Sequence, residues 1–589
     1  MPLLVALLVA LVVDLGVSSC VSLPAQGPVR ARTVEENGGG ETLVDYTPAG
    51  PRADSGPLPL VDSFLTAMTA TPLNTYVARE FLTEQSGKTW VPEQGTVAYG
   101  SQELVARPHG GVMVRLRDVV ELDSQGTWRG DPTSGRGHDY DLHLVRQGGR
   151  WRISHPPNRL IIPRAHFDTQ YAQYLLYFVD RSAQVMVPEP VYVPRGQQTS
   201  TLLLSALLKG PEPANASVER TFFPRGTSLD GISVPVSRGG TAEVPLSDQV
   251  LDASNGQLKG LSAQIAWTLG QVPGVQRLSV TVGGTPIDLP GPRSSVGVGD
   301  FSEFDPSLAY ASTALFGVRD RRVVTLGSQE SRVSGPYGAL PLAPRSIAVD
   351  PLGQRIAGVS SDGTKVLVSD RDGVPGRAAR LSDTVTVHPG GTDLLRPAYD
   401  LYGQLWLMDR TRSGARLSVV RGATARALRV PGLSDRQVSG FVLSRDGTRL
   451  VAEERRGGHD GLWVARVSRD AKGRVLSVGH ARRLVVEGAP DRILDIAWRT
   501  PATLAVLVAP SAGTTQVLLA KVDGSSTSSQ LSSESALFRG RAVRLVTSPS
   551  RGTPLLVSTA SGRLFTLSGS GHWTVSSIRP GLQAPTFVG

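Results

Sequence analysis

The chain opens with eleven unbroken apolar residues, Leu3 to Val13. That run is too short for the roughly 20 residues of a spanning helix and has the length of an export-signal core. Gly16, Val17, Ser18 and Ser19 then lead into Cys20. Between residues 21 and 59 apolar periodicity disappears, and the stretch holds six prolines, six glycines and a GGG at 38–40. A coil of this composition reaches on the order of 35 Å, which predicts a tether, with room for one extended strand near Thr42 to Tyr46. From Leu60 the pattern changes to helical spacing through Val61, Phe64, Leu65 and Met68, with a second short helical face at Val77, Phe81 and Leu82. Strands follow at Val112 to Leu122, Tyr140 to Arg146 and Arg150 to Ile153, so residues 60–165 read as an α+β domain.

Residues 170–290 alternate strands and helices. YLLYFVD and VMVPEPVYVP read as paired strands, and TSTLLLSALLKGP as a helix with Thr199 or Ser200 as N-cap and Gly210-Pro211 as its stop. LKGLSAQIAWTLGQ reads as a second helix before the strand VQRLSVTVGG. From residue 296 to 589 the pattern is strand after short strand, with Gly and Asp at the turns. SIAVDPLGQRIAGVSSDG, LLRPAYDLYGQLWLMD, FVLSRDGTRLVAEERR, ILDIAWRTPATLAVLVAP and RLVTSPSRGTPLLVSTASG recur about every 45 to 55 residues, the spacing of four-stranded propeller blades. The ending QAPTFVG reads as the first strand of a blade completed by Leu308 to Leu326, which closes the ring at about six blades, with five and seven as the neighbouring counts.

Composition adds two constraints. Cys20 is the only cysteine, so nothing downstream relies on a disulfide. The formal net charge is +10, yet the 61 basic residues are 55 Arg and six Lys, scattered rather than clustered, which argues against nucleic acid as a partner. Anionic headgroups or wall polymers fit such a charge. No Lys or Arg precedes Cys20, which predicts a true start upstream of Met1.

Candidate chemistry is sparse. In GHDYDLHL, Asp141 and His143 share one face of a strand while Tyr140, Leu142 and Leu144 take the other; no third ligand accompanies them, so an edge strand with a solvated face is expected rather than a metal site. G-x-S-x-G, a Walker loop, G-x-G-x-x-G after a strand, H-E-x-x-H and C-x-x-C are all absent. His388, His459, His480 and His572 read as surface residues, the Asp-Gly pairs at 362–363 and 446–447 as turns, and Trp406, Trp463, Trp498 and Trp573 as packing between blades. No catalytic residue, metal or cofactor is assigned, and the chain is expected not to be an enzyme.

Several of these segments carry resemblances. Val17-Ser18-Ser19-Cys20 resembles a bacterial lipobox. That resemblance implies a signal peptide over 1–19, cleavage before Cys20, an S-diacylglycerol thioether and an N-palmitoyl group on Cys20, and a lipidated tether over 20–59. AREFLTEQSGKTWVP with the later GGRWRIS resembles the cystatin-like fold of nuclear-transport-factor type. Tyr177-Phe178, Leu207 to Pro211, Pro224-Arg225-Gly226-Thr227, Ala242 to Leu246, Gln264 to Leu269 and Pro273-Gly274-Val275 resemble a GerMN domain. In this order, with a C-terminal propeller, the whole resembles the LpqB family of actinobacterial lipoproteins. The resemblance implies a membrane-attached, extracytoplasmic accessory of the MtrA/MtrB two-component system that contacts the sensor histidine kinase and influences wall homeostasis, division and development. A binder of wall glycan or peptidoglycan, and a hydrolase with its site in the propeller channel, are the readings from other classes.

Overall fold

The computed structural model describes residues 29–30, 45–130, 137–290, 294–308, 310–327, 329–457, 459–486, 488, 492–525 and 537–589. The chain divides into two compact units. The first comprises the chain through Pro92 with residues 101–116 and 138–162, and the second comprises 93–100, 117–137 and everything from Pro163 onward. Cys20 lies outside the described residues.

In the first unit the helix Pro57–Ala67 buries Leu60, Val61, Phe64 and Leu65, the spacing read from the sequence. Phe64 meets the rings of Phe81 at 6.2 Å and Trp90 at 5.7 Å. The Trp90 indole N–H donates to the Pro157 carbonyl at 2.7 Å, so this large ring is buried without an orphaned donor. Strands Ser101–Ala106, Val112–Arg117 and His138–Leu142 form an antiparallel sheet whose inner face carries Val112, Val114 and Leu116. The strand expected to run through Leu122 breaks at Asp118, which has φ 53°, and resumes at Val120–Asp123. Part of the expected tether is ordered: Asp45–Tyr46 pairs antiparallel with Val29–Arg30, and Tyr46 exchanges backbone bonds with Thr71.

In the second unit Tyr171–Asp180 and Met186–Pro194 pair antiparallel along nine residues, and Thr241–Pro245 runs parallel to Arg277–Val282. Helices Thr199–Leu208 and Asn255–Leu269 pack on these strands around Leu203, Leu207, Leu261, Ile265 and Val280. The first helix begins differently from expectation. Gln198 is its N-cap, already in the right-handed region, and Thr199 is a helical residue whose hydroxyl donates to the Pro194 carbonyl at 2.9 Å. The second helix starts at a capping box, Ser254 with Gln257. Its polar residues serve the neighbouring strand: Gln264, fully buried, donates to the Tyr177 carbonyl at 2.9 Å, and Gln271 both donates to and accepts from the Leu175 backbone.

Six antiparallel meander sheets follow, the blades of a propeller. Their strands fall at 315–332, 346–388, 398–428, 438–484, 493–539 and 542–575. The last strand, Gln583–Thr586, pairs with Leu315–Arg319 and supplies the innermost strand of the first blade, so hydrogen bonds close the ring between its two ends. The blade turns are closed by side-chain carboxylates. Asp350 accepts from the backbone N–H groups of Gln354 and Arg355, Asp400 from those of Tyr402 and Gln404, and Asp446 from that of Thr448. Asp362 is held at about pKa 2 by its bonds from Ser360 and Thr364, again a turn device. Trp406 and Trp498 are buried; Trp463 and Trp573 are half-buried, with Arg436 over the Trp463 ring and Trp573 edge-on to Phe538. His459, His480 and His572 are exposed and His388 half-buried.

Candidate docking site between the GerMN domain and the propeller

The strand Met186–Pro194 reads MVPEPVYVP, a buried apolar run interrupted by one charge, Glu189. Pro188 and Pro190 flank it, pairing with Tyr177 and Leu175 across the ladder, so neither neighbour offers an N–H to the carboxylate. Its partners come from the fourth blade. Arg449 donates through Nη2 to Glu189 Oε1 at 2.7 Å and to the Pro188 carbonyl at 2.5 Å. Arg466 grips both carboxylate oxygens, at 2.7 Å and 2.6 Å, in the fork geometry that favours guanidinium over ammonium. The Arg449 side chain is 2% exposed and that of Glu189 14%. Burial disfavours the charge on Glu189, but Arg449 and Arg466 outweigh it and hold the carboxyl at about 2.

A second acid stands beside this cluster. Glu219 is 1% exposed, and its carboxyl lies within hydrogen-bonding reach of the Glu189 carboxylate. Burial first, then the negative charge of Glu189, push its pKa well above the usual carboxylate range. The junction therefore sets two carboxyls of opposite tendency against two guanidinium groups: Glu189 is driven toward its ionised form and Glu219 toward its protonated one.

Four further contacts extend the junction across neighbouring blades. Tyr402, on the turn of the third blade, donates to Asp180 at 2.6 Å, and the Arg469 guanidinium lies over the Tyr402 ring at 4.8 Å while pairing with Asp400 at 2.9 Å. Ser468 donates to the Ser217 carbonyl at 2.9 Å. On the fifth blade Ser525 receives the Tyr192 hydroxyl at 2.5 Å, and Asp523 accepts from Gln173 at 2.9 Å. The contact set spans three blades, and its strongest members are charge-assisted, with Arg449 and Glu189 largely buried.

The sequence-predicted chemistry lies elsewhere. His138–Leu142 is an outer strand of its sheet, with Asp139, Asp141 and His143 exposed and Leu142 and Leu144 buried; among the described residues no cluster of three metal-ligating side chains occurs. Glu189, Arg449 and Arg466 belong to no motif in the sequence. The available signal was a carboxylate alone in an apolar strand, which has to find a counter-charge once buried.

Three family models match in chain order. The Lipoprotein LpqB N-terminal domain covers residues 50–168, the sporulation and spore germination (Germane) domain 175–288, and the Lipoprotein LpqB beta-propeller domain 322–585. A Lipoprotein LpqB of Mycolicibacterium smegmatis is 30% identical over 84% of this chain and 85% of its own. The chain belongs to the LpqB lipoprotein family. Another LpqB, from Thermobifida fusca, is 27% identical over 94% of this chain and 95% of the relative. Among solved structures, the tandem GerMN domains of GerM from Bacillus subtilis are 14% identical over 26% of this chain and 58% of that one, at a TM-score of 0.18. TolB from Acinetobacter baumannii is 12% identical over 47% and 66%, at 0.33. No helix among the described residues is long and apolar enough to cross a membrane. For this LpqB-family chain, the junction is the most strongly built polar site between its two C-terminal domains.

Proposed function

We propose that this lipoprotein is a lipid-anchored envelope accessory of a two-component sensor kinase of the MtrB type, acting on the extracytoplasmic face of the cell membrane. Cys20 carries the diacylglycerol and N-palmitoyl anchor, the Pro/Gly-rich stretch ahead of Asp45 gives reach, and the GerMN domain and propeller present one composite recognition surface. The observation that carries the reading is the junction at Glu189: one carboxylate is held by the buried Arg449 and, at both oxygens, by the partly exposed Arg466, which ties the two domains in one relative orientation. That is what an adaptor needs in order to hold two surfaces in register. Membrane attachment confines it and its partner to one thin layer and raises their effective concentration. Through the kinase, the protein influences wall homeostasis, division and development.

A wall-polymer reading has its own support. A cleft of about 360 Å³ between the GerMN and propeller loops is lined by Arg355, Arg421 and Lys472, all exposed. Crosslinking in intact cells, affinity capture and mass spectrometry separate the two, with a Cys20→Ala strain alongside. Enrichment of a sensor kinase that is lost in Cys20→Ala supports the accessory. Recovery of wall material alone, unchanged by the substitution, overturns it in favour of polymer binding.

A further inference from the structure

The propeller channel holds a second polar feature, independent of the domain junction. A cavity of about 90 Å³ lies among the innermost strands and the turns that follow them, lined by Tyr399, Phe441, Arg445, Trp498, Ser548 and Phe587 among others. Two of its lining side chains are buried donors left unmatched. Arg445 is 8% exposed, its Nη2 donates to Ser548 Oγ at 3.0 Å, and its Nη1 has no hydrogen-bond partner among the described residues. Trp498 is 5% exposed, and its indole N–H is likewise unmatched among the described residues.

No aspartate or glutamate lines the cavity among the described residues. The other guanidinium there, Arg396, has its counter-charge in Asp495 at 3.3 Å, whose carboxylate also accepts from the Leu545 backbone N–H. Arg445 pairs with no aspartate or glutamate among the described residues, and the Gly589 backbone packs against its guanidinium, where a Cβ would lie 3.3 Å away. A guanidinium buried against apolar side chains without an anion costs several kcal/mol, and protein interiors normally match such a charge. Burial lowers Arg445 to about 10, with the Tyr310 hydroxyl acting in the opposite sense.

We propose that the channel cavity is a binding site for a small oxyanion, a carboxylate or phosphate of about six non-hydrogen atoms, with Arg445 as its counter-ion and Ser548 and Trp498 as flanking donors. Six atoms is what the cavity admits at the volume one water requires. Nothing in the junction at Glu189 takes part, so the site stands whether or not the accessory reading does. The lining residues come from the inner strands of the blades and the turns that follow them, including Pro351 of the second blade and Phe587 beyond the inner strand of the first, so a ligand there would brace the ring from within.

The test is thermal unfolding of the full-length chain at fixed pH and ionic strength, with sodium chloride exchanged for acetate, lactate, succinate or inorganic phosphate. At least one oxyanion is expected to raise the midpoint saturably, with a Kd of about 1 mM or below. Arg445→Met is expected to weaken that ligand at least about ten-fold while leaving the unliganded midpoint unchanged or higher, because an unmatched buried charge is removed. If no oxyanion acts beyond chloride, or if Arg445→Met responds like the parent, the proposal is wrong. Should Arg445→Met not fold, Ser548→Ala and Trp498→Phe take its place. Each is expected to weaken the oxyanion by a few-fold, and an unchanged affinity in both overturns the site.

Discussion

Removing the Glu189 carboxylate is the most direct perturbation of the junction. Glu189→Ala deletes three charge-assisted bonds of 2.6–2.7 Å and leaves two guanidinium groups facing each other. Breaking one side of a buried ion pair costs about 3–5 kcal/mol, chiefly because the orphaned charge stays desolvated. Arg449, at 2% side-chain exposure, carries most of that cost, whereas Arg466, at 28%, regains water. Glu219 offers partial relief: with the Glu189 charge gone, its ionised form is no longer repelled and pairs with the same arginines. The expected loss for Glu189→Ala at pH 8 is therefore near the lower end, about 3 kcal/mol, and Glu189→Ala with Glu219→Gln loses more than the two single variants together. Guanidinium unfolding followed by tryptophan fluorescence measures the loss, and hydrogen exchange over residues 186–194 and 449–466 locates it. A loss below about 1 kcal/mol with unchanged exchange in those segments would refute the view that ion pairing holds the domains together.

Other consequences follow from single positions. Burial raises Glu453 to about 7, against the paired Arg455, so its proton is held more tightly in the folded chain than in the unfolded one. The stability this lends is complete below about pH 4.5 and is lost as pH rises through 7, by about 3 kcal/mol, so Glu453→Gln flattens a urea-stability profile between pH 5 and 8; an unchanged slope refutes the assignment. A Cβ at Gly260 would lie 2.2 Å from the Phe222 ring, and Gly260→Ala is expected to cost about 1–3 kcal/mol by overpacking, despite the gain in helix propensity, measured by chemical denaturation. Deleting residues 583–589 removes the inner strand of the first blade; loss of near-ultraviolet circular dichroism and rapid proteolysis of the propeller are expected, and retention of both signals would refute closure by that strand.

Blade spacing was legible in the sequence because each blade is a local meander whose turn residues recur. SIAVDPLGQ and PAYDLYGQ carry the same Asp-capped turn, seen in Asp350 and Asp400. Ring closure was legible for the same reason, as an unpaired strand at one end and an incomplete blade at the other. The helix 199–208 is legible in its apolar spacing but its cap is not, since Thr199 spends its hydroxyl on Pro194 rather than on the helix terminus. The junction was invisible for a different reason. Glu189, Glu219, Arg449 and Arg466 are spread over 278 positions, and nothing local distinguishes Arg466 in WVARVSRD from the many arginines that face solvent. Long-range pairing leaves no periodic trace.

Why the junction uses charge, when an apolar contact of similar area would bind about as well, bears on what the unit is for. Replacing a buried Arg–Glu cluster by packed hydrophobes is commonly neutral or stabilising, so such a cluster is weak evidence for stability as such. What it imposes is geometry. Arg466 satisfies both Glu189 oxygens at one orientation, Arg449 must reach the same carboxylate and the Pro188 carbonyl together, and Tyr402 and Ser525 must meet Asp180 and Tyr192 at the same time. An apolar interface tolerates sliding by a fraction of a side chain; a bidentate guanidinium fork does not. The GerMN domain and the propeller are consequently presented as one body with a fixed relation between their surfaces. A partner held in the same membrane would then meet one orientation of two recognition surfaces, which is the physical content of the accessory role proposed for this lipoprotein.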